Sequence, residues 1–127
     1  MTTEFSSERH YYEMAREEGD WNLFPRRNIV EYLSSRLKAG DSVLDIGCGT
    51  AEVLNFLPTG IHYTGLESSE FALQEARRRW SVGTGANFVS GDAASLPFSE
   101  ASFNVILMFF SLEHLKRPRE ALYECVR

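Results

Sequence analysis

Apolar positions recur along the chain in two alternating rhythms, one of period close to 3.6 and one of short continuous runs. From Glu8 to Gly19, His10, Tyr11, Tyr12 and Met14 interrupt a run of Glu and Arg, the pattern of a helix with one weakly apolar face, so residues 1–24 read as an N-terminal helical arm. Pro25 can open a second helix, in which Ile29, Leu33 and Leu37 recur at i, i+4, i+8 with Val30 widening the stripe, until Ala39-Gly40-Asp41 stops it. Ser42-Val43-Leu44-Asp45-Ile46 is then a short apolar strand that breaks off at Gly47. Thr50 to Leu57 reads as a helix ended by Pro58 and Gly60, and Ile61 to Leu66 as a second strand closing on Glu67. Ser68 or Ser69 can cap the next helix, where Leu73, Ala76 and Trp80 share a face and Arg77, Arg78 and Arg79 fall in the last turn. Asn87-Phe88-Val89 is a third strand, Phe103 to Phe110 the fourth and most apolar, and a helix from about Pro118 is expected to turn Ala121, Leu122 and Cys125 inward.

Short strands alternating with amphipathic helices mean βαβ units, whose connections are too long for hairpins and suit parallel crossovers. The fold class is therefore α/β, a parallel sheet with helices on both faces. Residues 25–127 form one such domain after the arm.

Composition narrows the function classes. With 127 residues of which 43% are hydrophobic, one core forms without disulfide or metal staples. A net charge of −5 and a pI near 5.2 give no support for the basic face that nucleic acid requires. No basic segment leads into an apolar one at the start, and the longest apolar run, Val105 to Phe110, is far too short for a membrane span, so the expectation is a soluble cytoplasmic protein. Cys48 and Cys125 lack CxxC spacing and read as reduced thiols rather than metal ligands; no metal site is expected.

The chemistry gathers where strands end. Gly47 and Gly49 follow the first strand, where missing side chains let a ligand approach backbone N–H groups, with Asp45 just before them. Glycines there can equally make a tight turn and no more. Glu67, twenty residues beyond Gly47, closes the second strand, where a carboxylate can accept from both hydroxyls of a ribose. Asp92 follows the third strand and could read an adenine amino group, and the fourth strand leaves at Met108 to Ser111 beside the same crevice. Ligands of open α/β sheets bind at that edge. The third glycine of a dinucleotide GxGxxG would fall at Glu52, whose charge opposes a pyrophosphate, and no GK[ST] occurs. An adenosine bearing a cationic sulfonium and no phosphate suits these residues better.

Val43 to Ala51 closely resembles motif I of class I S-adenosylmethionine-dependent methyltransferases. Gly65-Leu66-Glu67, Gly91-Asp92-Ala93 with Leu96-Pro97-Phe98, and Ser102 to Ile106 through Leu112-Glu113-His114-Leu115 resemble their later motifs in order and spacing, over about residues 20–127. The resemblance implies a Rossmann-like three-layer sandwich with strand order 3-2-1-4, and S-adenosyl-L-methionine as cofactor. It implies that Asp45, Gly47, Cys48 and Gly49 surround the methionine part, that Glu67 holds the ribose, that Asp92 with Ala93 contacts the adenine, and that Leu66 or Ser68 packs against the base, with Met108 beside the crevice. The chain departs at Ala51, where the family has a third glycine, and at Asn104, where it often has Asp. It stops at Arg127, inside the helix after the fourth strand, whereas the family sheet has seven strands; strands five to seven are expected to be absent. The fourth strand would then be an open edge inviting a second copy or a partner chain.

Methyl transfer from a sulfonium is an in-line displacement, which mainly requires alignment and exclusion of water. His114, next to Glu113, is the candidate general base, the alternative being that the pair only caps or orients the turn Leu112 to Lys116. Tyr11, Tyr12 and Trp21 could form a lid or pack on the core. The function expected is methyl transfer to a small-molecule acceptor. A cofactor-binding chain without activity, acting through a partner, and a nicotinamide-dependent oxidoreductase are the competing readings.

Overall fold

The structure, a computed structural model, describes residues 28, 31–109 and 111–127. The arm, with Tyr11, Tyr12 and Trp21, lies outside the described residues, as do Pro25, Ile29, Val30 and Phe110.

The elements run β1 (Ser42–Ile46), a 3-10 turn (Glu52–Asn55), β2 (His62–Glu67), α1 (Glu70–Trp80), β3 (Asn87–Ser90), β4 (Val105–Leu107), a second 3-10 turn (Leu112–His114) and α2 (Pro118–Val126). Before them, residues 31–34 are helical and bring Leu33 and Leu37 onto the core. The four strands form one parallel sheet in the order β3-β2-β1-β4, as the sequence predicts. Alternation along the strands sends side chains to two separate layers. Val43, Tyr63 and Leu107 face one layer with Leu37, Ala51, Val53 and Ala76 of α1; Leu44, Ile46 and Leu66 face the other with Ala93, Leu96 and Ala121 of α2. Both faces are covered, which is why β1 reads as an almost continuous apolar run.

Ser69 caps α1, its side chain accepting from the Ala72 N–H at 3.3 Å, and Glu70 at the start with Arg77 to Arg79 at the end both suit the helix dipole. Arg79, in that last turn, also pairs with Glu52.

Three expectations are corrected. The helix over Thr50 to Leu57 is only the four-residue turn Glu52–Asn55. Ala51 enters it in the left-handed conformation (φ 59°, ψ 37°) with no side-chain cap, and Pro58 follows too soon for helix nucleation. The fourth strand spans three residues rather than Phe103 to Phe110. It pairs only with Val43, Leu44 and Asp45 of β1; Asn104 before it bonds Ser42, and Ser111 after it bonds back to Ile46. In α2, Leu122 points outward at 49% exposure while Ala121 is fully buried and Cys125 half-buried. Positions 121 and 125 share a face at four-residue spacing, and 122 lies about 100° away with the exposed Val126.

Candidate functional site

The carboxyl ends of β1, β2 and β4 are stitched together at one corner. The chain leaves β1 through Gly47 (φ +72°), where an added Cβ would lie 2.6 Å from Ser111 Cβ, so the bare glycine is what lets the exits of β1 and β4 touch. Ser111 Oγ donates to the Ile46 carbonyl at 3.0 Å, and the Gly47 and Cys48 N–H groups both donate to the Leu66 carbonyl, at 2.8 and 3.1 Å. Gly49 N–H donates to Glu67 Oε2 at 3.0 Å, tying the glycine turn to the end of β2.

Glu67 is half-buried, and its second oxygen, Oε1, accepts from the N–H groups of Ser68 (2.8 Å) and Ser69 (3.0 Å). A carboxylate has about four acceptor positions. The two N–H groups fill Oε1, which also has Ser68 Oγ at 3.4 Å, and Gly49 takes one position on Oε2, which leaves Oε2 able to take one further donor. The bidentate grip on two hydroxyls expected from the sequence is therefore not available without rearrangement around Ser68.

Asp92 stands at the outer side of this edge, exposed, its Oδ1 accepting from the Ala94 N–H at 2.8 Å and its Oδ2 from Arg117 at 2.7 Å. The Ala94 N–H first, then the Arg117 guanidinium, hold its carboxyl below the usual range, so it is an ionised acceptor at neutral pH. Ala93 behind it is buried, its side chain in the α2-side layer, so only its backbone is open to a ligand.

Asp45 is 3% exposed and so lies beneath the turn rather than lining it. Tyr63 Oη donates to its Oδ2 at 2.6 Å. Burial pushes its pKa up to about 7, against the lowering effect of the Tyr63 hydrogen bond, with nearby Glu67 adding to the rise. Cys48 is buried with Sγ against Gly65, where a Cβ would come within 2.7 Å of it, and burial first, then the charges of Asp45 and Glu67, push its thiol far up. It is a packing residue rather than a nucleophile.

Met108 is half-buried against the α2-side layer. His114 is 75% exposed and its Nε2 lies 3.8 Å from Glu113 Oε1, beyond hydrogen-bond reach, so Glu113 does not orient the ring. The turn carrying them starts at Ser111, whose side chain makes no cap hydrogen bond to it.

The case against a pyrophosphate also changes. Glu52 is paired with Arg79, so its charge is offset. What remains is that the turn 47–51 carries no basic side chain, while the carboxylates of Glu67, at the end of β2, and Asp92, after β3, lie along the same edge. Bare glycines, one free acceptor position on Glu67 and an ionised Asp92 suit a phosphate-free nucleoside carrying positive charge. Among the described residues, no three His, Cys, Asp or Glu side chains gather as a metal-binding group.

Three residues of this corner escape sequence reasoning as parts of the site: Arg117, Tyr63 and Trp80. Each meets its partner across a large stretch of chain. Only Trp80 leaves a hint, because a half-buried indole needs an acceptor for its N–H.

A methyltransferase-domain family matches residues 43–127. The ubiquinone/menaquinone biosynthesis C-methyltransferase UbiE of Roseobacter denitrificans is 34% identical over 105 residues, taking in 78% of this chain and 41% of that protein. The O-methyltransferase rstn1 of Aspergillus nomiae is 35% identical over 124 residues, taking in 86% of this chain and 55% of that protein. Among solved structures, a Haloferax volcanii chain in complex with the Trm112 methyltransferase activator superposes with a TM-score of 0.77 at 23% identity, covering 98% of this chain and 54% of that one. At that identity the likeness speaks for the fold alone. The chain spans about half the length of the curated relatives it matches.

Proposed function

The chain belongs to the class I S-adenosylmethionine-dependent methyltransferases, and from that membership we propose that it binds S-adenosyl-L-methionine along the carboxyl edge of its sheet and transfers the methyl group to a small-molecule acceptor. The observation that carries this reading is the Gly49 N–H to Glu67 Oε2 hydrogen bond, which fastens the glycine turn and the ribose carboxylate into one unit. The free acceptor position on Glu67 Oε2 takes a ribose hydroxyl, with Ser68 beside it. Asp92, already ionised, accepts the adenine amino group while the Ala93 backbone borders the base. Gly47, Cys48 and Gly49 present backbone to the methionine arm; Asp45 acts on it from below and Met108 from the β4 side.

When bound, the cofactor supplies an electrophilic methyl on a sulfonium. The chain's own task is then alignment and exclusion of water, worth several orders of magnitude in rate. His114 is free of any partner within hydrogen-bond reach on Glu113 and is exposed toward solvent, which supports it as the group that takes the acceptor's proton. The two relatives carry the names of a quinone C-methyltransferase and an O-methyltransferase, which supports a small organic acceptor. Among the described residues no helix is long and apolar enough to cross a membrane, and Cys48 and Cys125 are free thiols; both accord with the cytoplasmic setting we propose. The β4 edge and the exposed Leu122, Tyr123 and Val126 support association with a second chain.

Calorimetry with S-adenosylhomocysteine tests the site. The wild-type chain binds it, and Glu67→Ala weakens binding at least tenfold through loss of a charge-assisted hydrogen bond and of the tie to Gly49. Equal affinity in the variant would refute the assignment.

A further inference from the structure

We infer that Trp80 and Arg79, at the end of α1, are positioning residues that latch the glycine turn after β1 in the shape that receives the methionine arm of the cofactor. The inference rests on the site proposed above and deepens it. Gly47, Gly49 and Ala51 have φ of 72°, 55° and 59°, so the turn passes through the left-handed region at alternate residues, one of them an alanine. Such a path is not self-supporting, because no ladder or helix continues through it. On its sheet side it is held by the Leu66 carbonyl and by Glu67. Within the turn the Ala51 N–H closes on the Cys48 carbonyl at 2.8 Å, which holds one end of the Thr50–Ala51 peptide and leaves the Thr50 carbonyl, at the other end of the same plane, to find its partner outside the turn.

Trp80 sets it. Its Nε1–H donates to the Thr50 carbonyl at 3.0 Å across thirty residues of chain, and its ring packs against the core cluster that includes Ala51 and Val53. Its neighbour Arg79 pairs with Glu52, whose Oε1 also accepts from Thr50 Oγ1 at 3.3 Å, and the Arg79 guanidinium lies over the Trp80 ring at 5.6 Å. Two consecutive side chains of one helix thus grip the turn on both sides of Ala51. The turn is clamped between Glu67 at the ligand edge and α1 at its back. The grip keeps the path of the turn preorganised, so a ligand arm lying along its backbone does not have to order it.

The test is a ratio of affinities measured by calorimetry on the full chain. S-adenosylhomocysteine lies on the turn with its amino-acid arm, whereas adenosine reaches only the Glu67 and Asp92 side. Trp80→Phe keeps an aromatic ring against the core and removes the N–H. It is expected to weaken S-adenosylhomocysteine about fivefold, equivalent to about 1 kcal/mol, and to leave adenosine unchanged within the error of the measurement. Arg79→Ala, at an exposed position of α1, shifts the same ratio about twofold in the same direction, and Arg79→Lys recovers most of it. A merely structural role would weaken both ligands alike. Equal weakening, or no weakening of S-adenosylhomocysteine, overturns the latch. If the wild-type chain binds neither ligand, or if Glu67→Ala binds S-adenosylhomocysteine as the wild type does, the cofactor site itself is refuted and the latch goes with it.

Discussion

Replacing Gly47 by alanine probes the corner where the strand exits meet. Two costs add. The backbone sits at φ +72°, a region that charges an L-residue about 1–2 kcal/mol. The new Cβ would lie 2.6 Å from Ser111 Cβ and 3.2 Å from its Oγ, so the two exits must part by about 0.8 Å before the contact becomes ordinary. Ser111 cannot yield freely, because it is 9% exposed and its Oγ holds the Ile46 carbonyl. Overpacking of this kind costs roughly 1–3 kcal/mol, which brings the loss for Gly47→Ala to about 3 kcal/mol, a large share of the 5–15 kcal/mol that usually holds a domain. Urea denaturation followed by circular dichroism reads it as a lower midpoint at unchanged slope. Gly83→Ala is the control: its φ is +82° with nothing within 4 Å of the added Cβ, so it loses only about 1 kcal/mol. Ser111→Gly alone sacrifices a hydrogen bond and about 1–2 kcal/mol, but added to Gly47→Ala it removes the clash and leaves the double variant no less stable than Gly47→Ala. The reasoning fails if Gly47→Ala matches Gly83→Ala, or if the Gly47 and Ser111 effects add within about 0.5 kcal/mol, as independent sites do.

Two further outcomes follow from the same geometry. Asp45 has a folded-state pKa raised to about 7 from an unfolded value near 3.8, so the folded chain holds a proton that the unfolded chain has released between these values, and stability falls as pH rises through that window. At about 1.4 kcal/mol per pH unit, the advantage of Asp45→Asn over wild type in urea melts should grow by roughly 2–3 kcal/mol between pH 5 and pH 8; a pH-independent difference would contradict the burial argument. His114→Ala should lower methyl transfer by roughly a hundredfold while S-adenosylhomocysteine affinity stays as in wild type, and an unchanged rate would remove His114 as the base.

The fold was largely legible because its signals are local. Apolar runs punctuated by Gly47, Gly60 and Gly91 mark the strands, and Ser69 marks a helix start whether or not anything packs on it. Errors fell where a tertiary partner overrode the local pattern. Thr50 to Leu57 has helical spacing, yet the left-handed Ala51 is held by contacts from α1, thirty residues on. Leu122 is apolar and still points outward, because the spacing that buries Ala121 turns it away.

By itself the residue pattern determined the α/β class and the identity of the residues delivered to one edge, since a strand followed by glycines and then an acid at a strand end is written in consecutive residues; the order of the four strands came with the family resemblance those motifs carry. Tertiary structure alone decided what those residues can do there. Glu67 keeps one free acceptor position because Ser68, Ser69 and Gly49 occupy the others; Asp45 is pushed toward neutrality by burial under the turn; Asp92 is kept ionised by Ala94 and Arg117. The Ser68, Ser69 and Ala94 contacts are local, but the Gly49 bond to Glu67, the Tyr63 bond to Asp45 and the Ser111 bond to Ile46 join groups 18 to 65 residues apart, and no spacing along the sequence records such meetings.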